Sequence, residues 1–404
     1  MSNYHPLTEQ EAITLAQTHV PLLQQATSLT CREIGDGNLN LVFHIQDTDT
    51  SNSVIVKQAL PYAKVVGESW PLTLDRARIE SEALRIQGEL CPELVPAVYQ
   101  YLPELAVTMM EDLSDHVIMR SGLIAGNQYP YFAAHISEFL ARTLFFTSDL
   151  GINQQEKKIQ QGSFINPELC KITEDLIFDD PYTDSPNNQY NPAIQDVVDE
   201  LRSDEELHLQ VAKLRHQFLT HSQALLHGDL HTGSVFVTKQ STKVIDPEFA
   251  FYGPMGFDIG AVIANLLLNY AGQLGWMEED QKRQAFQQYL LHTIQEIWTQ
   301  FESKFRQLWK EHGVDRISAQ PSFQDAYLTA LLQDTLGFAG CKMVRRIVGL
   351  AHVADIDTIK QPELKEQAER LAIRIGTTLI KEHDRFHHIE QLMDKVQQLH
   401  AESL

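Results

Sequence analysis

The sequence predicts an α+β chain in which a small, β-rich lobe precedes a larger, mostly helical one. Three features predict this. Short strand-like runs separated by turn residues fill the chain before residue 112, apolar residues at helical spacing dominate after Leu113, and two late apolar runs each end in carboxylates.

In order, Thr8 to Gln25 reads as a helix, with Leu15, Ala16, Val20, Leu22 and Leu23 as its apolar stripe. Arg32 to Ile45 reads as strand, glycine turn and strand, the turn being Gly35-Asp36-Gly37, and Ser53-Val54-Ile55-Val56-Lys57 as a further strand. Leu74 to Gln87 has helical spacing, with Gly88 as the expected stop. Val98 to Leu102 and Ala106 to Met110 read as strands around a Pro103-Glu104 turn. Beyond Glu111-Asp112-Leu113, helical spacing covers Tyr131 to Ser148, Ala193 to Leu226, Ile259 to Tyr270, Gln281 to His312, Phe323 to Ala351 and Pro362 to His383. Phe178 to Pro192, rich in Asp, Pro, Asn and Tyr, reads as a loop. The joint falls near residue 112, giving lobes 1–112 and 113–404.

Composition bounds the function. The 404 residues are 43% hydrophobic, enough for a sizeable core. Lys plus Arg number 32 against 54 Asp plus Glu, a net charge of −22. That argues against nucleic acid or an anionic membrane as the main partner, since both need clustered cations. Cys31, Cys91, Cys170 and Cys341 are far apart with no CxxC pair, and read as free thiols in a reducing cytoplasm. The first residues lack a signal-peptide pattern, and there is no apolar run of about 18 residues.

The chemistry is concentrated in His227-Gly228-Asp229-Leu230-His231-Thr232-Gly233-Ser234 and in Val244-Ile245-Asp246-Pro247-Glu248, about a hairpin apart. Phosphoryl transfer needs one carboxylate to aim an attacking hydroxyl and others to hold Mg²⁺ on a nucleoside triphosphate. Asp229 suits the first role. Asp246 and Glu248, two apart in an extended segment, face one side and suit the second. Their apolar surroundings (Val244, Ile245, Phe249, Ala250, Phe251) disfavour a merely solvated turn, because buried carboxylates demand a cation or donors. His227 and His231 flank Asp229, either as braces of the loop or, less simply, as metal ligands.

Upstream, Gly35 and Gly37 either cradle phosphates or form an ordinary hairpin turn. Lys57 closes an apolar strand; it is either solvated or reaches the α- and β-phosphates, in which case Glu80 or Glu82 on the next helix would partner it. Met109 to Leu113 forms either a plain connector or a hinge whose backbone N–H and C=O groups meet adenine. Asp258 either caps the following helix or accepts backbone N–H bonds from the catalytic loop. Arg345 and Arg346 point about 100° apart on a helix. They form either a surface pair or a cleft-facing one that receives a phosphate or sugar oxygen.

Taken together, these residues closely resemble the methylthioribose kinase family of methionine salvage, a small-molecule branch of the protein-kinase-like fold. The resemblance runs over nearly the whole chain and is most specific in Gly35 to Phe43, Trp70 to Arg78, Met110 to Ser114, His227 to Ser234, Asp246 to Gly260, Arg345-Arg346 and Gly349 to Asp355. It implies ATP and Mg²⁺ as cofactors, the C1 hydroxyl of 5-methylthioribose as acceptor, and a homodimer. It further implies that Asn40, Lys57 and Glu111-Asp112-Leu113 bind ATP, that Asp229 is the catalytic carboxylate and touches the sugar, and that Asp246-Pro247-Glu248 replaces the Asp-Phe-Gly metal motif. Arg345 and Arg346 match the pair implied in substrate binding. Against protein kinases, Ser234 stands where a metal-binding Asn is usual, and Glu248 is the substitute.

Two rivals stand beside this reading. An aminoglycoside or choline phosphotransferase would want an acidic pocket for its cationic acceptor, which Arg345-Arg346 opposes. A nucleotide-binding pseudokinase would not need Lys57, Asp229 and Asp246 together.

Overall fold

The computed structural model describes residues 4–34, 39–63 and 67–403. Gly35 and Gly37 of the glycine turn, and the side chains of Trp70 and Pro71, lie outside them. Strands β1 (Leu29–Glu33), β2 (Asn40–Asp47), β3 (Ser53–Ala59), β4 (Val98–Leu102) and β5 (Val107–Glu111) form an antiparallel sheet in the order β1-β2-β3-β5-β4. The period of two decides which side chains face where. Val54 and Val56 of β3 meet Phe43, Ile45, Val107, Met109 and the helix Glu9–His19 (α1) in one buried cluster. Lys57 is out of phase with them, so it leaves the other face of the sheet, towards the helix Asp75–Leu90 (α2).

The first expected helix is shorter than its pattern. Thr8 and Glu11 form a capping box, α1 ends at His19, and Pro21 opens a separate single turn over Pro21–Leu23. Gly88 does not stop α2, which runs on to Leu90 and closes where the Cys91 N–H donates to the Gln87 carbonyl at 2.7 Å. Nothing crowds Gly88 out of the helix, since a Cβ there would meet Val95 at an ordinary 3.6 Å.

The helical lobe is built on Phe132–Phe146 (α3), Gly256–Trp276 (α4), Asp280–His312 (α5), Pro321–Val348 (α6) and Pro362–Glu382 (α7). Every residue of α4 from Gly256 to Gln273 is buried. Its all-round apolar sequence explains why periodicity caught only its middle. A Cβ at Gly260 would lie 2.6 Å from the Thr335 carbonyl oxygen, so glycine lets α4 and α6 close up.

The single helix expected over Ala193 to Leu226 is three elements. Gln195–Ser203 stops at Asp204, whose side chain accepts from Leu207 N at 2.9 Å and starts Glu205–Thr220. Ala224–Leu226 is then a strand, paired antiparallel with Phe251–Gly253. Three residues are too few for a strand period to show. Val235–Val237 and Thr242–Val244 form the hairpin between the two acidic segments. The sequence reading also passed over helices Gln154–Ser163, Pro167–Glu174 and Glu390–Ala401, which are short or polar.

Candidate active site

The chain leaves strand Ala224–Leu226 through His227 and turns at Gly228, where φ is 85°. A Cβ at Gly228 would sit 2.1 Å from the Phe249 carbonyl oxygen, so both conformation and space require glycine. Asp258, in the first turn of α4, accepts from the N–H groups of His227 at 2.6 Å and Gly228 at 3.1 Å. Of the two roles open to Asp258, it takes the second. His227 donates from its ring to the Ile245 carbonyl at 2.8 Å, tying the Asp229 loop to the Asp246 segment. His227 is thus a brace. Asp246 itself adopts a left-handed φ of 70°, which aims its carboxylate at the sheet.

There it meets Lys57. The Lys57 ammonium donates to Glu80 Oε1 at 2.7 Å and is also ion-paired with Asp246. Glu82 faces away, paired with Arg78 at 2.8 Å, so Glu80 is the partner of Lys57. Carboxylate oxygens of Glu80, Asp246 and Glu248 all lie within 4.8 Å of one another. Among the described residues these three carboxylates are ion-paired with two cations, Lys57 and Arg76, and the surplus shows. Burial raises Glu80 to about 7 although Lys57 opposes it, with Asp246 and Glu248 adding to the rise. Burial and Asp246 likewise raise Glu248 against the pull of Arg76. Hard oxygen donors with uncompensated negative charge fit Mg²⁺.

Arg76 is a site residue that sequence reasoning passed over. Fully buried on α2, it donates to Asn40 Oδ1 at 2.8 Å and the Leu60 carbonyl at 3.0 Å, and it binds Glu248 and the Leu39 carbonyl. Its signal was its position four residues before Glu80, on the same helix face. The Asn40 amide oxygen is therefore committed to Arg76. In the hinge, Glu111 pairs with Lys243 at 3.2 Å and accepts from Ala97 N at 3.0 Å. Asp112 accepts from Ser53 Oγ at 2.7 Å and Ser114 Oγ at 2.6 Å. Those carboxylates hold the strand ends together, and the Glu111 N–H donates to the Ala97 carbonyl at 2.8 Å. Pro247, between Asp246 and Glu248, accepts from Ala250 N at 3.1 Å through its carbonyl.

On the acceptor side, Asp229 faces the cations of α6. Arg345, buried, places Nη2 3.8 Å from Asp229 Oδ1, which excludes a surface role. Arg346 donates to the Ala351 carbonyl at 3.2 Å. Lys342 lies one turn earlier on the same face, buried, with Nζ 3.6 Å from the centroid of Phe257. Arg120 lies 3.3 Å from Asp355 and donates to Asn265 Oδ1 at 3.2 Å. Neither Lys342 nor Arg120 was singled out from sequence, although Lys342 precedes the arginine pair by three and four residues.

Burial pushes Asp229 up, but His231, Arg345, Arg346 and Lys342 outweigh it and hold the carboxyl well below its usual range. Near neutral pH the cations of α6 carry this effect, because His231 is itself uncharged there. Burial, aided by Arg120 against the pull of Asp229, takes it down to about 3. Its Nε2 lies 3.4 Å from Asp229 Oδ2, and its Nδ1 3.1 Å from Ser234 Oγ. Ser234 also donates to the Asp229 carbonyl at 3.3 Å, so it braces the loop. Among the described residues the histidines contribute to no metal-ligand cluster.

A small antiparallel sheet over a helical lobe, a Lys57–Glu80 ion pair, an aimed Asp229 and an Asp-Pro-Glu segment define an ATP-dependent phosphotransferase of the protein-kinase-like fold. Residues 30–288 match the phosphotransferase enzyme family. The methylthioribose kinase of Geobacillus thermodenitrificans (strain NG80-2) is 52% identical over 94% of this chain and 94% of its own length. That of Geobacillus sp. (strain WCH70) is 52% identical over 93% and 92%. That of Bacillus pumilus (strain SAFR-032) is 48% identical over 98% and 96%. The chain belongs to the methylthioribose kinase family.

Proposed function

We propose that this chain transfers the γ-phosphoryl group of ATP to the C1 hydroxyl of 5-methylthioribose, giving 5-methylthioribose 1-phosphate in methionine salvage. The observation that carries this reading is the ion pair of Asp229 with Arg345, beside the further cations Arg346 and Lys342. Cations there favour an uncharged acceptor that becomes a phosphate ester, and they repel the amines of choline or an aminoglycoside.

Nucleotide lies between lobes 1–112 and 113–404. By the family resemblance Asn40 belongs to its phosphate side and the Glu111-Asp112-Leu113 segment to the base, Asp112 and Leu113 offering the backbone groups because the Glu111 N–H already donates to the Ala97 carbonyl. Lys57 holds the α- and β-phosphates while Glu80 keeps it extended. Asp246 and Glu248, flanking Pro247, would hold Mg²⁺. When bound, the ion neutralises charge on the β- and γ-phosphates. Asp229 accepts a hydrogen bond from the C1 hydroxyl and points its oxygen at phosphorus. A carboxylate held so far below its ordinary range is a weak base, which suits a loose transition state in which the proton leaves late. Arg345 and Arg346 receive the transferred charge. The complete set of Lys57, Asp229 and Asp246 weighs against a pseudokinase.

A homodimer and a cytoplasmic location belong to the same reading. They rest on the family resemblance and on four free cysteines, and no described helix is long and apolar enough to cross a membrane. Steady-state turnover of methylthioribose, choline and kanamycin with ATP tests the assignment. Phosphorylation of the sugar alone is expected; turnover of an amine with none of the sugar would overturn it.

A further inference from the structure

We propose that Arg76 is the positioning residue of the metal site: it holds one oxygen of Glu248 and so turns the other towards Asp246. The inference rests on Asp246 and Glu248 being the metal ligands, and it adds the group that orients one of them.

The geometry supports it in three ways. First, Arg76 is anchored independently of Glu248. Its guanidinium reaches the Leu39 carbonyl and Asn40 Oδ1 at the start of β2, and the Leu60 carbonyl just after β3, at 2.8 Å for Asn40 and 3.0 Å for Leu60. It is wholly buried and therefore confined to one rotamer. Second, the backbone of Glu248 is pinned from the other side. Asn166 Nδ2 donates to the Glu248 carbonyl at 3.0 Å and to the Ala250 carbonyl at 3.2 Å. The side chain of Glu248 is held separately, and its Oε2 is the atom Arg76 takes. Third, Arg76 and Glu80 lie four residues apart on one face of α2. That face grips both metal-side carboxylates, Glu248 directly through Arg76 and Asp246 through the Glu80–Lys57 pair.

Groups that orient a metal ligand typically change metal affinity by about 10–100-fold when removed. A strut that merely filled space would weaken folding and every ligand alike. The test compares wild type with Arg76→Lys, Arg76→Gln and Glu248→Gln. Mn²⁺ binding to the ADP complex is followed by the EPR signal of free Mn²⁺, and ADP binding without metal by calorimetry. Lysine keeps the charge but donates from one atom and cannot span Asn40, Glu248 and two carbonyls at once. It therefore remains informative if the glutamine variant fails to fold.

Mn²⁺ affinity is expected to fall roughly 10–100-fold in either Arg76 variant that folds, with metal-free ADP affinity within about threefold of wild type. Glu248→Gln should lose at least as much. Unchanged Mn²⁺ affinity in a folded Arg76 variant, with Glu248→Gln impaired, would overturn the inference and leave the metal site standing. An equal loss of ADP binding with and without metal would make Arg76 a strut. Unchanged Mn²⁺ binding in Glu248→Gln would remove the metal reading itself, and this inference with it.

Discussion

Asp258 takes the backbone N–H of His227 at 2.6 Å and that of Gly228 at 3.1 Å, so a carboxylate on α4 fixes the turn that presents Asp229. All three residues are shielded from water, and burial raises Asp258 against the pull of His227, the loop N–H groups and Lys342. The loop's shape is thus stored in a helix packed beneath it.

Removing that acceptor strands two buried donors, at about 1–3 kcal/mol each. Asp258→Ala is expected to lower kcat by about 10–100-fold. ADP binding, whose proposed contacts do not include Asp229, should barely change. Asp258→Asn keeps one acceptor oxygen and should fall between. Paired kinetics and ADP calorimetry check this; wild-type kcat in the alanine variant would contradict the role of the brace.

Asp229→Asn preserves volume and removes the charge proposed to aim the hydroxyl. A drop in kcat of roughly 10²–10⁴-fold is expected, the usual worth of a positioned acid–base group. ADP affinity should stay within a few-fold. Single-turnover phosphate transfer measures the first quantity and calorimetry the second. Retained turnover would move the catalytic carboxylate elsewhere.

At Gly228 a methyl group is opposed by the left-handed φ and by a carbonyl oxygen 2.1 Å away. Gly228→Ala should displace the loop from Phe249, lowering the melting temperature by several degrees and abolishing most turnover. A variant with native kinetics would show that the turn tolerates a side chain.

The two-lobed fold was legible because its signals are local: β3 is a short apolar run of β-branched residues, α2 repeats at helical spacing, and the acidic segments follow apolar runs. Asp229, Lys57, Asp246 and Glu248 stood out as charges attached to such runs. Less visible were residues whose roles arise from tertiary approach. Arg76 looks like any helical arginine until the sheet and Asn166 close around Glu248. Lys342 looks like the edge of a basic pair until α4 brings Phe257 beneath it. Asp204 hid a helix boundary because a capping aspartate and a mid-helix aspartate are the same letter. The choice between Glu80 and Glu82 turned on which way α2 faces, which only the packed sheet decides.

Lys342 gives a prediction about pH. Burial lowers it from 10.5 to about 7, with Arg345 and Arg346 adding to the fall, while Asp229 and Asp258 oppose it. The unfolded chain therefore binds this proton more tightly than the folded one. Between about 7 and 10.5 unfolding takes up a proton, so stability rises with pH across that window. The cost of the buried ammonium is fully present below pH 7 and fades as pH approaches 10.5. Lys342→Met, similar in length and uncharged, should remove it. The variant is expected to melt several degrees above wild type at pH 6.5, with the gap narrowing towards pH 9.5. It should also lose activity, since Asp229 loses one of the cations that hold it ionised. Differential scanning calorimetry at both pH values, beside turnover at each, decides the matter. A gap that stays constant with pH, or a variant less stable at pH 6.5, would mean that Asp229 and Asp258 fully compensate the buried charge.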